Sequence, residues 1–210
     1  MANGPLKIGI VEDNSLLRLS LQASLEKENV EVVFSVATAV EALKHIEISE
    51  IDVLIADLHL GETINGIDVS LLWQKAHPQL GVLYLTSYDD PRLINSGKSP
   101  VLANNSVYLR KDSIAEIDQL VRAIHSTLEG NNESQVRTGP LSSLTDVQIE
   151  TLSLLALGHS NKEIARIRGI NEESVAISLN RISKVLGLPA QLDRNQRVHL
   201  ARVVLRGQGQ

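Results

Sequence analysis

Between residues 6 and 129 the sequence switches repeatedly between two hydrophobic periods, and this alternation limits the possible fold more than any other feature. Short apolar, β-branched runs at Leu6–Val11, Val30–Val36, Ile51–Ala56, Leu80–Leu85 and Val107–Leu109 predict five strands. Helical patterns separate them. Asn14-Ser15 caps a stripe of Leu17, Leu21 and Leu25, and Thr38 caps one of Val40, Leu43 and Ile46. Gly66 to His77 reads as a helix ended by Pro78, and Ser113 precedes a stripe of Ile114, Ile117, Leu120, Val121, Ile124 and Leu128. Strands alternating with helices imply parallel pairing in a doubly wound α/β sandwich of five strands.

The fourth interval breaks the pattern. Pro91 to Ser106 has no regular apolar stripe, and Gly97 and Pro100 would each interrupt a helix. The expectation is at most a short helical turn near Pro91–Ser96, then an irregular connection anchored by Leu93, Ile94, Val101 and Leu102.

Residues 130–140 (GNNESQVRTGP) are polar, rich in turn formers and aperiodic, which predicts a linker. Everything beyond is helical in pattern. Thr145 opens a helix through Leu155 that ends at Gly158. Ser160 caps Asn161–Arg168, stopped by Gly169, and Asn171 caps Glu172–Leu186, stopped by Gly187. Asn195 opens the last helix. A short helix, a glycine-containing turn and a second helix make a helix-turn-helix, so the second domain is expected to be all-α. The division is therefore 1–129, linker 130–140 and 141–210. Charge divides the same way. Residues 1–139 hold 11 basic and 19 acidic side chains, a net of −8, and residues 140–210 hold 9 and 6, a net of +3.

With no cysteine, disulfide scaffolds and thiolate metal sites are excluded. The apolar runs are too short to span a bilayer, and Met1 to Pro5 lacks the basic-then-apolar pattern of a signal peptide. A cytoplasmic protein without membrane contact is expected.

Three carboxylates fall where predicted strands end: Glu12 and Asp13 after the first, Asp57 after the third. Ligands of doubly wound sheets bind at the carboxyl ends of the strands, where strand order reverses. Carboxylates converging there repel one another unless a hard cation sits among them, and magnesium suits a site of few carboxylates, waters and a phosphate oxygen. Thr86 ends the fourth strand with a hydroxyl, and Lys111 follows the fifth with an ammonium. A nucleophilic carboxylate, a cation, a hydroxyl and a lysine are what phosphoryl transfer requires. Any one of these residues alone is more commonly a cap or a solvated charge; five in order, each beside a strand end, form a coherent set.

The segments Val11-Glu12-Asp13-Asn14, Asp52 to Leu58, Leu85-Thr86-Ser87 and Tyr108 to Asp112 resemble the receiver signature of response regulators, a flavodoxin-like fold. The resemblance spans roughly residues 6–129. It implies that Asp57 is the phosphoacceptor and that Glu12, Asp13, Asp57 and the backbone carbonyl of His59 hold Mg2+. It further implies that Thr86 and Lys111 contact the phosphoryl group and that Tyr108 is an aromatic that turns inward on its arrival.

Leu144-Thr145-Asp146, Leu157 to Ala165 and Gly169-Ile170-Asn171 resemble the LuxR/NarL/FixJ helix-turn-helix, over roughly residues 141–205. Packing of Ile164, Ala165 and Ile167 against Val175 and Leu179 is expected to fix the angle at which the second helix enters a major groove. The DNA-facing candidates are Lys162, Arg168, Ser174, Ala176, Ile177, Asn180, Arg181 and Lys184. Members of the family usually carry basic residues where this chain has Ala176 and Ser178, which implies weak phosphate neutralisation.

Together the resemblances imply a two-component regulator. A sensor histidine kinase phosphorylates Asp57, and the protein regulates transcription by binding double-stranded DNA, as a homodimer when phosphorylated or DNA-bound. Two rivals stand beside this reading. One is a regulator acting through protein contacts with weak or lost DNA binding, favoured by Ala176 and Ser178. The other is an enzyme with an aspartyl nucleophile, which would carry a second acid where this chain has His59.

Overall fold

A computed structural model describes residues 4–61, 64–94, 100–129, 140–188 and 195–207. Its contacts divide the chain into two units, Met1–Thr86 with Val101–Gln135, and Ser87–Pro100 with Val136–Gln210. By these contacts the range Ser87–Pro100, inside the 1–129 division expected from the sequence, groups with the second unit.

The first unit runs β1 (Leu6–Val11), α1 (Ser15–Leu25), β2 (Val30–Val36), α2 (Ala39–Lys44), β3 (Val53–Ala56), α3 (Gly66–Ala76), β4 (Gly81–Thr86), β5 (Ser106–Arg110) and α4 (Ile117–Leu128). All pairings are parallel, in the order β2-β1-β3-β4-β5. Strand order reverses between β1 and β3, so the carboxyl ends of these strands flank the crevice where such sheets bind ligands. Ile8, Ile10, Val53, Ile55, Leu83 and Leu85 cover one face of the sheet and pack with Leu21 and Leu25 of α1 and Leu120 and Ile124 of α4. On the other face Tyr84 meets α3 through a 2.6 Å hydrogen bond between its hydroxyl and Ser70 Oγ. Trp73 Nε1 donates to the Ala42 carbonyl (3.2 Å), which ties α3 to α2.

Three local expectations are corrected. The last helix of this unit starts at Ile117, because Lys111–Ser113 form a 3-10 turn and the Ser113 hydroxyl donates back to the Arg110 carbonyl (2.7 Å). The helix after Thr38 ends at Lys44, with Ile46 left in the following turns. Between β4 and β5 the described residues hold only the 3-10 turn Pro91–Leu93, Gly97 lies outside the described residues, and of the expected anchors Leu93 is buried while Val101 is not. Val101 is 76% exposed and anchors nothing. Ala103 is held instead, its N–H donating to Tyr84 Oη (3.1 Å), and the Gln74 amide exchanges two 2.7 Å bonds with the Asn104 backbone.

The second unit contains a 3-10 turn at Pro140–Ser143, then α5 (Asp146–Ala156), α6 (Asn161–Arg168), α7 (Glu172–Val185) and α8 (Gln196–Gly207). Of the predicted linker only Pro140 lies among the described residues. Thr145 with Gln148, and Ser160 with Glu163, form capping boxes that satisfy free N–H groups at the starts of α5 and α6. Gly169, at φ +64°, ends α6 in the left-handed region, where a side chain would be strained, and Asn171 caps α7 (2.7 Å to Ser174 N). Ile164 and Ala165 of α6 share the core with Val175, Leu179 and Ile182 of α7 and with Leu200 and Val204 of α8. Ile167 does not share it; it is 45% exposed on the outer side of α6. No helix of the described residues is long and apolar enough to cross a membrane.

Candidate functional site

Strand register builds the first site. Val11 of β1 pairs with Ala56 of β3, so the next residues, Glu12 and Asp57, emerge side by side at the carboxyl edge. The Asp57 N–H donates to the Val11 carbonyl (2.9 Å), fixing its backbone on β1. Thr86 pairs with Arg110, which puts Lys111 one residue past the last pair of β4 and β5. Lys111 Nζ reaches across to Asp57 Oδ2 (2.7 Å) and to Glu12 Oε1 and Oε2 (2.9 and 2.7 Å). Asp57 Oδ1 accepts from the His59 N–H (3.2 Å). Glu12, Asp57 and Thr86 are buried, while Asp13 stands in solvent at the rim.

Burial, opposed by the Lys111 hydrogen bond and charge, pushes the Glu12 carboxyl above its ordinary range. Asp57 is raised for the same first reason, with the Lys111 charge pulling the other way. Burial works against the Lys111 ammonium, but the Asp57 charge and the bonds to Asp57 and Glu12 outweigh it, so its pKa is raised. A cation fits this pocket. Glu12, Asp13 and Asp57 each offer a carboxylate oxygen, all within 4.8 Å of one another. Glu12 Oε2 is buried and meets the Lys111 ammonium at 2.7 Å, and a carboxylate oxygen carries a second lone pair that a metal could take.

Two parts of the pocket escaped the sequence reading. Gly66, read only as a helix start, has no room for a side chain. A β-carbon there would fall 2.0 Å from the Asp57 carbonyl oxygen. The glycine directly after the Asn65 cap was its only signal. Arg18 donates to the Glu12 carbonyl (2.6 Å) and braces the acidic turn from α1. Tyr108 is already buried in this structure.

The second site is the exposed side of α6 and α7. Lys162, Ser174, Ile177, Asn180, Arg181 and Lys184 are exposed, and Ala176 is half-buried. Arg168 is engaged elsewhere. Its guanidinium donates to Thr151 Oγ1 (2.6 Å) and lies 3.3 Å from Glu150, so it braces α6 against α5. Arg197 of α8 donates to the His159 carbonyl (2.6 Å) and to Asn161 Oδ1, holding the start of α6. Glu172 and Glu173 place two exposed acids in the first turn of α7.

Residues 8–125 match the response regulator receiver domain, and residues 142–202 match the family described as bacterial regulatory proteins, luxR family. The oxygen regulatory protein NreC of Staphylococcus aureus is 25% identical over 203 residues, covering 89% of this chain and 93% of that protein. The transcriptional regulatory protein LnrK of Bacillus subtilis is 28% identical over 214 residues, covering 91% and 94%. In fold the chain resembles RcsB from Salmonella enterica serovar Typhimurium, solved bound to a promoter with a phosphomimetic. That comparison has a TM-score of 0.55 at 18% identity and covers 96% of this chain and 98% of that one. A structure of two RcsB dimers on two parallel DNAs gives a TM-score of 0.61 at 18% identity, covering 97% and 99%.

Proposed function

The chain belongs to the response regulator receiver family, and from that premise we propose that it is a two-component transcriptional regulator, phosphorylated on Asp57 and binding double-stranded DNA through α7. The observation that carries this reading is the pocket in which Lys111 bridges Asp57 and Glu12 at the carboxyl edge of the sheet. An Asp57 oxygen forms a new P–O bond while the P–N bond of a phosphohistidine on a sensor histidine kinase breaks. The leaving imidazole takes up a proton. Glu12, Asp13, Asp57 and the His59 carbonyl are assigned to Mg2+, which supplies positive charge against the phosphoryl oxygens. Lys111 and the Thr86 hydroxyl are assigned to the incoming phosphoryl oxygens, and the buried Tyr108 to the switch. The acidic turn and Arg18 hold this geometry in place.

On the helical unit, Asn180 and Arg181 project to solvent from the middle of α7, where they are suited to base edges, and Lys162 and Lys184 are suited to phosphates. Ser174, Ile177 and Ala176 complete that face, and Arg168 positions α6 behind it. RcsB was solved on DNA as dimers, and two-fold half-sites favour a homodimer here. The protein-binding alternative draws on the same helix, where Ala176 and Ser178 are neutral and Glu172 and Glu173 are acidic.

Selection of bound genomic fragments by the full chain, with and without a small phosphodonor, tests the reading. Enrichment of two-fold symmetric sites that strengthens on phosphorylation is expected. Recovery of no sequence above background would favour the protein-binding alternative.

A further inference from the structure

The segment that leaves β4 is assembled as a part of the helical unit. Arg92 is 1% exposed, and arginine is seldom buried without full pairing. Its Nε and Nη2 donate to the two oxygens of buried Asp90 (2.9 and 2.6 Å). Nη1 donates to the Leu144 carbonyl (2.6 Å) and Asp146 Oδ1 (3.0 Å), and Nη2 also donates to the Leu141 carbonyl (3.0 Å). These acceptors frame the start of α5. A helix N-terminus repels a cation, so the arginine is held there by Asp90, Asp146 and two carbonyls. Asp90 also caps the turn, accepting from the Arg92 backbone N–H (3.0 Å).

Apolar packing completes the attachment. Leu93 belongs to the buried core that contains Leu141, Leu144, Ile149 and Leu152. The Asp89 N–H donates to the carbonyl of Gly207 (2.7 Å), the last residue of α8. Residues 89–93 therefore grip the beginning of α5 and the end of α8 at once. Ser87, the first residue of this segment, is peptide-bonded to Thr86, the buried hydroxyl residue that ends β4.

Resting on the reading of Asp57 as phosphoacceptor, we propose that this hook, Asp89 to Leu93, carries the phosphorylation signal from Thr86 into the N-terminal end of α5. A loop that only crossed a surface would leave Arg92 solvated and Leu93 unpacked. Only Ser87 and Tyr88 separate Thr86 from the residues held in the helical core, so a shift of Thr86 has a short covalent path to them. Coupling of this kind is reciprocal, so occupancy of the pocket and the state of α5 bias each other.

Hydrogen exchange on the full chain, with and without a small phosphodonor and Mg2+, reads this directly, and intact mass reports phosphorylation in the same samples. In the unsubstituted protein, phosphorylation should alter exchange in residues 140–149. In Arg92→Lys and Leu93→Ala, Asp57 should still gain one phosphoryl group and α6 and α7 should stay protected, while the change at 140–149 falls to background. Two substitutions are used because either alone could loosen the unit, and loss of α6 and α7 protection would reveal that. Phosphorylated variants that keep the full change at 140–149 would overturn the proposal, as would an unsubstituted protein that is phosphorylated without any change there. An unsubstituted protein that gains no phosphoryl mass would instead remove the phosphoacceptor reading, and the hook's role with it.

Discussion

Lys111 Nζ lies 2.7 Å from Asp57 Oδ2 while also touching both oxygens of Glu12. One ammonium thus offsets two buried carboxylates. Replacing it in Lys111→Gln leaves that negative charge without a partner and pushes both carboxyl groups further up. Because the lysine is partly solvated, the cost should be about 1–3 kcal/mol at neutral pH rather than the larger figure for a fully buried pair. Chemical denaturation at pH 7 without Mg2+ checks it, and an unchanged midpoint would mean that the bridge contributes nothing to the fold.

Magnesium binding should weaken as pH falls, at a higher pH than ordinary carboxylates would give. Asp57 and Glu12 are both raised from 3.8 and 4.5, chiefly by burial. Without metal, the fold therefore favours their protonated forms. Their contribution to stability is fully present below the ordinary values and is lost as pH rises through the raised ones. Magnesium takes only the ionised forms, so its stabilisation grows across that same window and its uptake there releases protons. Calorimetric titration in buffers of different ionisation enthalpy measures the release. Asp13→Asn should bind several-fold more weakly; a pH-independent affinity equal to that of the unsubstituted protein would argue against a metal site.

Gly66→Ala should damage the pocket from behind. The new β-carbon would lie 2.0 Å from the Asp57 carbonyl oxygen, so either α3 or the Asp57 backbone must move. Overpacking of this kind costs about 1–3 kcal/mol. Slower phosphorylation together with a lower melting temperature is the expected pair of results. Normal phosphorylation kinetics would show that α3 yields instead of Asp57.

Binding to DNA should respond to charge added on α7. Each phosphate neutralised adds roughly 0.9 to the slope of log affinity against log salt. Ala176→Lys should tighten non-specific binding and steepen that slope, and Glu172→Gln should tighten it without steepening. Fluorescence anisotropy over a salt series measures both. If Ala176→Lys changes neither quantity, this side of α7 does not face DNA.

What the sequence made legible was what local pattern determines. Strands buried on both faces are continuous apolar runs, and the carboxylates stand out because they follow those runs immediately. The helix caps at Asn14, Thr38, Ser160 and Asn171 were equally plain, since each is a short polar side chain ahead of an apolar stripe. Ser113 misled because its hydroxyl turns back to Arg110 instead of forward to a helix. Arg92 was illegible for a different reason. Its partners Leu141, Leu144 and Asp146 lie 49 to 54 positions away, and no local pattern distinguishes an arginine that will be buried from one that will be solvated. Gly66 was seen as a helix start, but the approach of the Asp57 carbonyl that requires a glycine there comes from another strand end.

Phosphorylation of Asp57 is the claim on which the rest depends, and intact mass measurement tests it most directly. The full chain incubated with a small phosphodonor and Mg2+ should gain the mass of a single phosphoryl group, and Asp57→Asn should gain none under the same conditions. Equal labelling of the Asp57→Asn protein, or no labelling of the unsubstituted one, would contradict the account.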